Sequence, residues 1–186
     1  MTATTTDFST LTGTYTVDAA HSRFGFVARH AMVTKVRGSF NEFTASAVVD
    51  GDDPTRSSVQ VSLDVASVDT RNKMRDDHLR TNDFLDVENF PAITFTSTKV
   101  DYDGGNEFVL TGDLTIKGVT KSITFPLEFQ GAAKDPFGNE RIGFEGSASL
   151  LRSEFGVTYN AALETGGVLV SDKIALEFEI SAVKNA

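Results

Sequence analysis

The chain has 186 residues, no Cys, and a formal charge of −9 from 17 Lys+Arg against 26 Asp+Glu. That length suits one domain able to bury about 70% of the surface its unfolded chain exposes, and the lack of Cys excludes a disulfide framework, a thiolate metal site and a cysteine nucleophile. The negative balance opposes nucleic-acid binding and gives the chain as a whole no basic footprint for an anionic membrane surface.

The first ten residues have neither a basic stretch nor an apolar run, so no secretory signal is read and the expected location is the cytoplasm; no segment approaches the ~18 apolar residues of a membrane-spanning helix. Residues 1–12 are rich in Thr and Ser and read as a disordered lead-in to a single domain over 13–186. From Gly13 onward apolar residues alternate with polar ones. Phe24, Phe26, Ala28 and His30 share one parity, and the parity switches between Phe40 and Phe43, which predicts a bulge or corner. Val59, Val61, Leu63 and Val65 form the next run. A charged, non-alternating stretch over 71–82 then predicts a short helix, with Met74, His78, Thr81 and Leu85 on one face and Thr70 or Asn72 as N-cap. Alternation resumes with Ile93 and Phe95, then Phe108 to Ile116, Ile123 to Phe129, Ile142 to Leu150 and Ile174 to Ile180. The connections are rich in Gly, Asp, Asn and Pro and are too short for parallel crossovers. The fold class is therefore all-β, with about eight antiparallel strands closed into a barrel, or a sandwich as second choice.

Catalytic signatures are absent. No nucleophile elbow, phosphate loop or H-E-x-x-H helix occurs, and His21, His30 and His78 match no common metal spacing. The 15 Phe, against 3 Tyr and no Trp, are about twice the usual share. The inward parity of most of them has two readings. Either the rings fill the barrel, or they line a tunnel for an aliphatic ligand, since an eight-stranded barrel can do either. Gly38, Gly112 and Gly146 fall at inward parities and predict gaps between the rings. His30, at the end of an inward face, and His78, on the helix, are each either structural or in reach of a ligand head group. Arg37 and the cluster Arg71, Arg75 and Arg80 either attract a phosphate or belong to solvated faces.

Taken in order, Tyr15-Thr-Val-Asp18, His21-Ser22, Val36-Arg-Gly38-Ser-Phe40, Arg75-Asp-Asp-His-Leu-Arg80, Pro91-Ala-Ile-Thr-Phe95, Gly112-Asp-Leu-Thr-Ile-Lys-Gly118 and Arg152-Ser-Glu-Phe-Gly156 resemble the YceI-like family of polyisoprenoid-binding proteins. The resemblance implies a lipocalin-like eight-stranded antiparallel barrel, often homodimeric, that holds a polyprenyl phosphate, isoprenoid quinone or similar amphiphile. It implies no cofactor besides that lipid, no metal and no catalytic residue. On that basis Phe24, Phe26, Phe40, Phe84, Phe95, Phe108, Phe125 and Phe144 are expected to line the cavity, with His30, Asp77 and His78 at the head group. Burial of about 15–20 carbons at roughly 0.8 kcal/mol each would hold such a ligand by its tail alone. A lipid isomerase or cyclase using His30 or His78 in the same cavity is the alternative.

Overall fold

Strict alternation over most of the chain becomes eleven antiparallel strands in the computed structural model, which describes residues 6–186. They are β1 (Gly13–Val17), β2 (Arg23–His30), β3 (Thr34–Phe40), β4 (Phe43–Val49), β5 (Ser58–Asp64), β6 (Val68–Asp69), β7 (Ala92–Tyr102), β8 (Glu107–Ile116), β9 (Val119–Lys134), β10 (Glu140–Leu151) and β11 (Lys173–Lys184). A closed ring runs β1-β4-β5-β7-β8-β9-β10-β11 and returns to β1 through the pairs Tyr15↔Lys184 to Val17↔Ala182. This is an eight-stranded antiparallel barrel, in which every strand of the ring pairs with a neighbour on each side over part of its length.

The remaining strands continue three members of the ring past a line of corners. β2 pairs with the same edge of β11 that β1 uses further along, and β3 and β6 follow it outward. The corners lie at the short turn after Asp18, at Asn41–Glu42 and at Val65–Ser67. Asp18 and Asp64 cap their turns through the backbone N–H groups of Ala20 and Ala66, and Asn41 N–H donates to the Ser67 carbonyl. The parity switch between Phe40 and Phe43 is the middle corner. Two further irregularities flip parity within long strands: the β7–β8 register skips Thr98, which turns Val100 inward, and the β9–β10 register skips Gln130.

One α-helix occurs among the described residues: α1 (Lys73–Arg80), capped by Asn72, whose side chain accepts from Arg75 N–H. Its register differs from the expected one. Met74 is 84% exposed, whereas Leu79 packs toward the core and Asp76 is buried. Asp76 accepts from both the backbone N–H and the hydroxyl of Thr70, so a polar contact rather than an apolar stripe seats the helix. Arg75 and Arg80 are also committed to this docking. Arg75 donates to Thr70, and Arg80 donates to the Ala66 and Val68 carbonyls.

The expected disordered lead-in over 1–12 is corrected for residues 6–12; residues 1–5 lie outside the described residues. A short turn over Ser9–Leu11 follows Phe8, and Phe8 is only 6% exposed. A polar segment is ordered here because a single large ring finds an apolar site at the barrel end, and the Tyr15 hydroxyl ties the turn down by donating to the Leu11 carbonyl at 2.7 Å.

Candidate ligand-binding cavity

Side chains of one parity from all eight ring strands meet inside the barrel around a cavity of about 330 Å³. That lies at the lower end of the range for pockets that take drug-sized ligands, and is about twice an engineered cavity known to admit a benzene ring. Twelve of the 15 Phe line it, all except Phe43, Phe90 and Phe137. Phe24, Phe26, Phe40, Phe84, Phe95, Phe108, Phe125 and Phe144 are all among the lining residues. The rings pack in separate groups, with centroids 5.6 Å apart for Phe95 and Phe125 and 5.2 Å for Phe125 and Phe178 in one, and 5.4 Å for Phe129 and Phe144 in another.

The inward glycines do not leave gaps. Gly38 lies opposite Phe26 in the β2–β3 register, and a Cβ there would strike the tip of that ring. A Cβ on Gly112 would meet Phe95 in the same way, and one on Gly146 would meet Leu127. Each glycine makes room for a side chain from a neighbouring strand, so the space a Cβ would take is already filled.

The two ends of the barrel differ. At one, Phe8 fits edge-on to Phe129 at 5.2 Å and close to Phe108 and Tyr102 at 5.5 and 5.7 Å, closing the floor. Sequence reading missed Phe8 and Leu11; their i, i+3 spacing just ahead of the first strand was the available signal. The other end is covered by Leu79, Phe84 and Leu85 from α1 and the turns after it, and by Phe155, Val157 and Val170 from the β10–β11 connection.

Arg152, also unforeseen as a lining residue, sits at this second end with only 7% exposure. Its guanidinium donates to the carbonyls of Val157 at 2.8 Å, Ser171 at 2.9 Å and Val170 at 3.3 Å, cross-tying the long connection. Burial pushes its pKa down, and the charge of Asp172 opposes the shift. The other ionisable lining residue is Asp50, near the floor. It accepts from Asp52 and Asp53 N–H and pairs with Arg56 at 2.9 Å, and these contacts hold its pKa below the ordinary carboxylate value, the Asp53 bond most of all.

None of the three residues assigned to a head group lines the cavity. His30 continues the inward parity of Phe24, Phe26 and Ala28 but lies past the rim, where the strand leaves the core, and is exposed; its backbone bridges to Val170. Asp77 is on the outer face of α1, held by Lys73 at 2.6 Å and Arg80 at 3.1 Å, with the Lys73 hydrogen bond the main cause of its lowered pKa. His78 stands on the roof of the α1 end, bonded to Asp83 at 2.8 Å and packed edge-on against the lining residue Phe84 and against Tyr159. Tyr159 is a rim residue that no sequence pattern singled out. Arg37, on β3, contacts Glu177 of β11 across β2. Among the described residues no group of three or more His, Asp or Glu side chains is placed to hold a metal ion.

A closed antiparallel barrel around a Phe-walled apolar cavity, plugged at one end and roofed by a helix at the other, defines the class to which the protein belongs. Residues 15–182 match the YceI-like domain, and the chain is a member of that family. It is 37% identical over 169 residues to a UPF0312 protein of Staphylococcus aureus strain USA300, covering 90% of this chain and 95% of that protein. Among solved structures it resembles BcnA of Burkholderia cenocepacia, with a TM-score of 0.78 and 30% identity over 89% of this chain and 98% of that one. A polyisoprenoid-binding domain from Saccharophagus degradans shares the fold, with a TM-score of 0.69 and 16% identity over 92% and 98% of the two chains.

Proposed function

We propose that the protein is a non-catalytic carrier that holds a long-chain isoprenoid, such as a polyprenyl lipid or isoprenoid quinone, by its tail inside the barrel. One observation carries the reading: the cavity is walled by twelve Phe, and its two ionisable side chains are both committed to protein partners. Such a space rewards apolar length at roughly 0.8 kcal/mol per CH₂ and offers little to a head group. The head then lies outside, at the α1 end beside His78 and Tyr159. The polyisoprenoid-binding name of the Saccharophagus degradans domain supports the same ligand class. Acid–base chemistry on the bound lipid is disfavoured because neither His30 nor His78 lines the cavity.

The test is displacement of an apolar fluorescent probe by isoprenoid alcohols of increasing chain length. Affinity is expected to tighten with length and then level off as the cavity fills, with each alcohol recovered unchanged. Absence of displacement at every length would overturn the carrier reading, and recovery of a rearranged product would favour an isomerase or cyclase.

A further inference from the structure

At the α1 end, the β2–β3 hairpin projects just beyond the cavity rim, since Ala28 lines the cavity and His30 bridges to Val170. Its tip is unusual in three respects. Met32 and Val33 are 59% and 74% exposed, although nothing in the barrel requires apolar side chains there. Ala31 and Met32 both adopt left-handed backbone, with φ of 50° and 64°, a conformation that Gly or Asn adopts with least strain. Finally, Arg29 and Lys35 face each other directly across the hairpin, a like-charge pair that weakens a sheet. Neither has a carboxylate partner among the described residues.

The charge pattern extends along both strands. In a chain with 26 Asp+Glu, the stretch from Arg23 to Phe40 contains no acidic residue. Glu177 on β11 is shared by Arg23 and Arg37, further from the tip. Asp172, on the neighbouring connection, is engaged by the Ser153 N–H and hydroxyl. The tip is also firmly mounted: Ala31 N–H donates to the Leu169 carbonyl, Ser171 N–H donates to the Arg29 carbonyl, and Met32 lies over Gly167. Exposed Val168 extends the same apolar surface.

We propose that this tip docks the α1 end of the barrel onto an anionic phospholipid bilayer, with Met32 and Val33 entering the interface and Arg29 and Lys35 meeting lipid phosphates. The proposal rests on the carrier reading for its purpose, because a ligand held by its tail must leave and rejoin a bilayer. The overall charge of −9 argued against such a surface, but basic and apolar residues meet at this tip on a hairpin that carries no carboxylate from Arg23 to Phe40.

The experiment is vesicle flotation of the full-length protein, with bound lipid measured in parallel by solvent extraction. The protein should float with vesicles of mixed phosphatidylglycerol and phosphatidylcholine, not with phosphatidylcholine alone, and raised salt should release it. Replacing both Arg29 and Lys35 with Ala should weaken binding about thirtyfold, from about 1 kcal/mol per basic residue at the surface. Met32→Asn with Val33→Ser, chosen because Asn tolerates the left-handed backbone, should also abolish flotation while leaving the extracted lipid unchanged. Failure of the wild-type protein to float, or flotation of both variants at the wild-type level, would overturn the docking proposal. Flotation without any extractable lipid would uphold docking and count against the carrier reading instead.

Discussion

Replacing Phe8 with Ala removes the ring that closes the floor of the barrel. Phe8 is 6% exposed and touches Phe108, Phe129 and Tyr102. A buried Phe removes about 150–250 Å² from water, which at about 25 cal/mol per Å² is an upper bound of about 4–6 kcal/mol. Core Phe→Ala changes fall at about 3–5 kcal/mol, and a loss of about 4 kcal/mol is expected here. For a chain of this size that corresponds to a melting temperature lower by about 8–16 °C. Urea unfolding followed by far-ultraviolet circular dichroism is the appropriate assay, because the chain has no Trp. The midpoint should fall with the slope unchanged. The same change lengthens the cavity toward the floor, so longer isoprenoid alcohols should gain affinity over the wild type. A loss below about 1 kcal/mol, with no change in chain-length preference, would refute the assignment of Phe8 as a plug.

Gly112→Ala should push the Phe95 ring inward, costing about 1–3 kcal/mol and lowering the affinity for long chains; equilibrium unfolding and probe displacement would show both effects. Arg152→Met removes the donor from one buried and two part-buried carbonyls, so stability should fall by about 3 kcal/mol, and limited proteolysis should cut first within the 156–170 stretch. Acid sensitivity should centre on Arg141, which bonds Asp18 at 2.7 Å and Asp135 at 2.8 Å. Asp18 is pulled from 3.8 to about 2, chiefly by Arg141 and then His21, and Asp135 is also lowered, chiefly by Asn139. Because both native pKa values are depressed, their contribution is present above about pH 4 and fades as pH falls below it, that of Asp18 through about 2. Melting temperature measured across that window should therefore drop, and Arg141→Met should flatten the drop.

Most of the barrel was legible because period-2 alternation leaves a direct trace in sequence, and the corner at Phe40–Phe43 showed as a break in that trace. Seven of the eight Phe expected at the cavity lie on alternating strands and reach it for the same reason, whereas Phe84 reaches it from the turn after α1. What escaped was set by contacts between distant residues. Phe8 is ordered by Phe108 and Phe129, a hundred residues away in sequence. The face of α1 was misread because Asp76 bonded to Thr70, not the Met74 stripe, seats the helix. Gly112 was read as a gap because nothing local shows that Phe95 on the neighbouring strand covers it. His30 followed the parity rule one step beyond the point where its strand leaves the core.

Native mass spectrometry of the protein as purified, followed by solvent extraction of the same sample, tests the tail-binding cavity most directly. One non-covalent apolar molecule per barrel, extractable and carrying an isoprenoid chain, is the expected result. A protein that flies only at its own mass, and takes up no added long-chain isoprenoid, would contradict it.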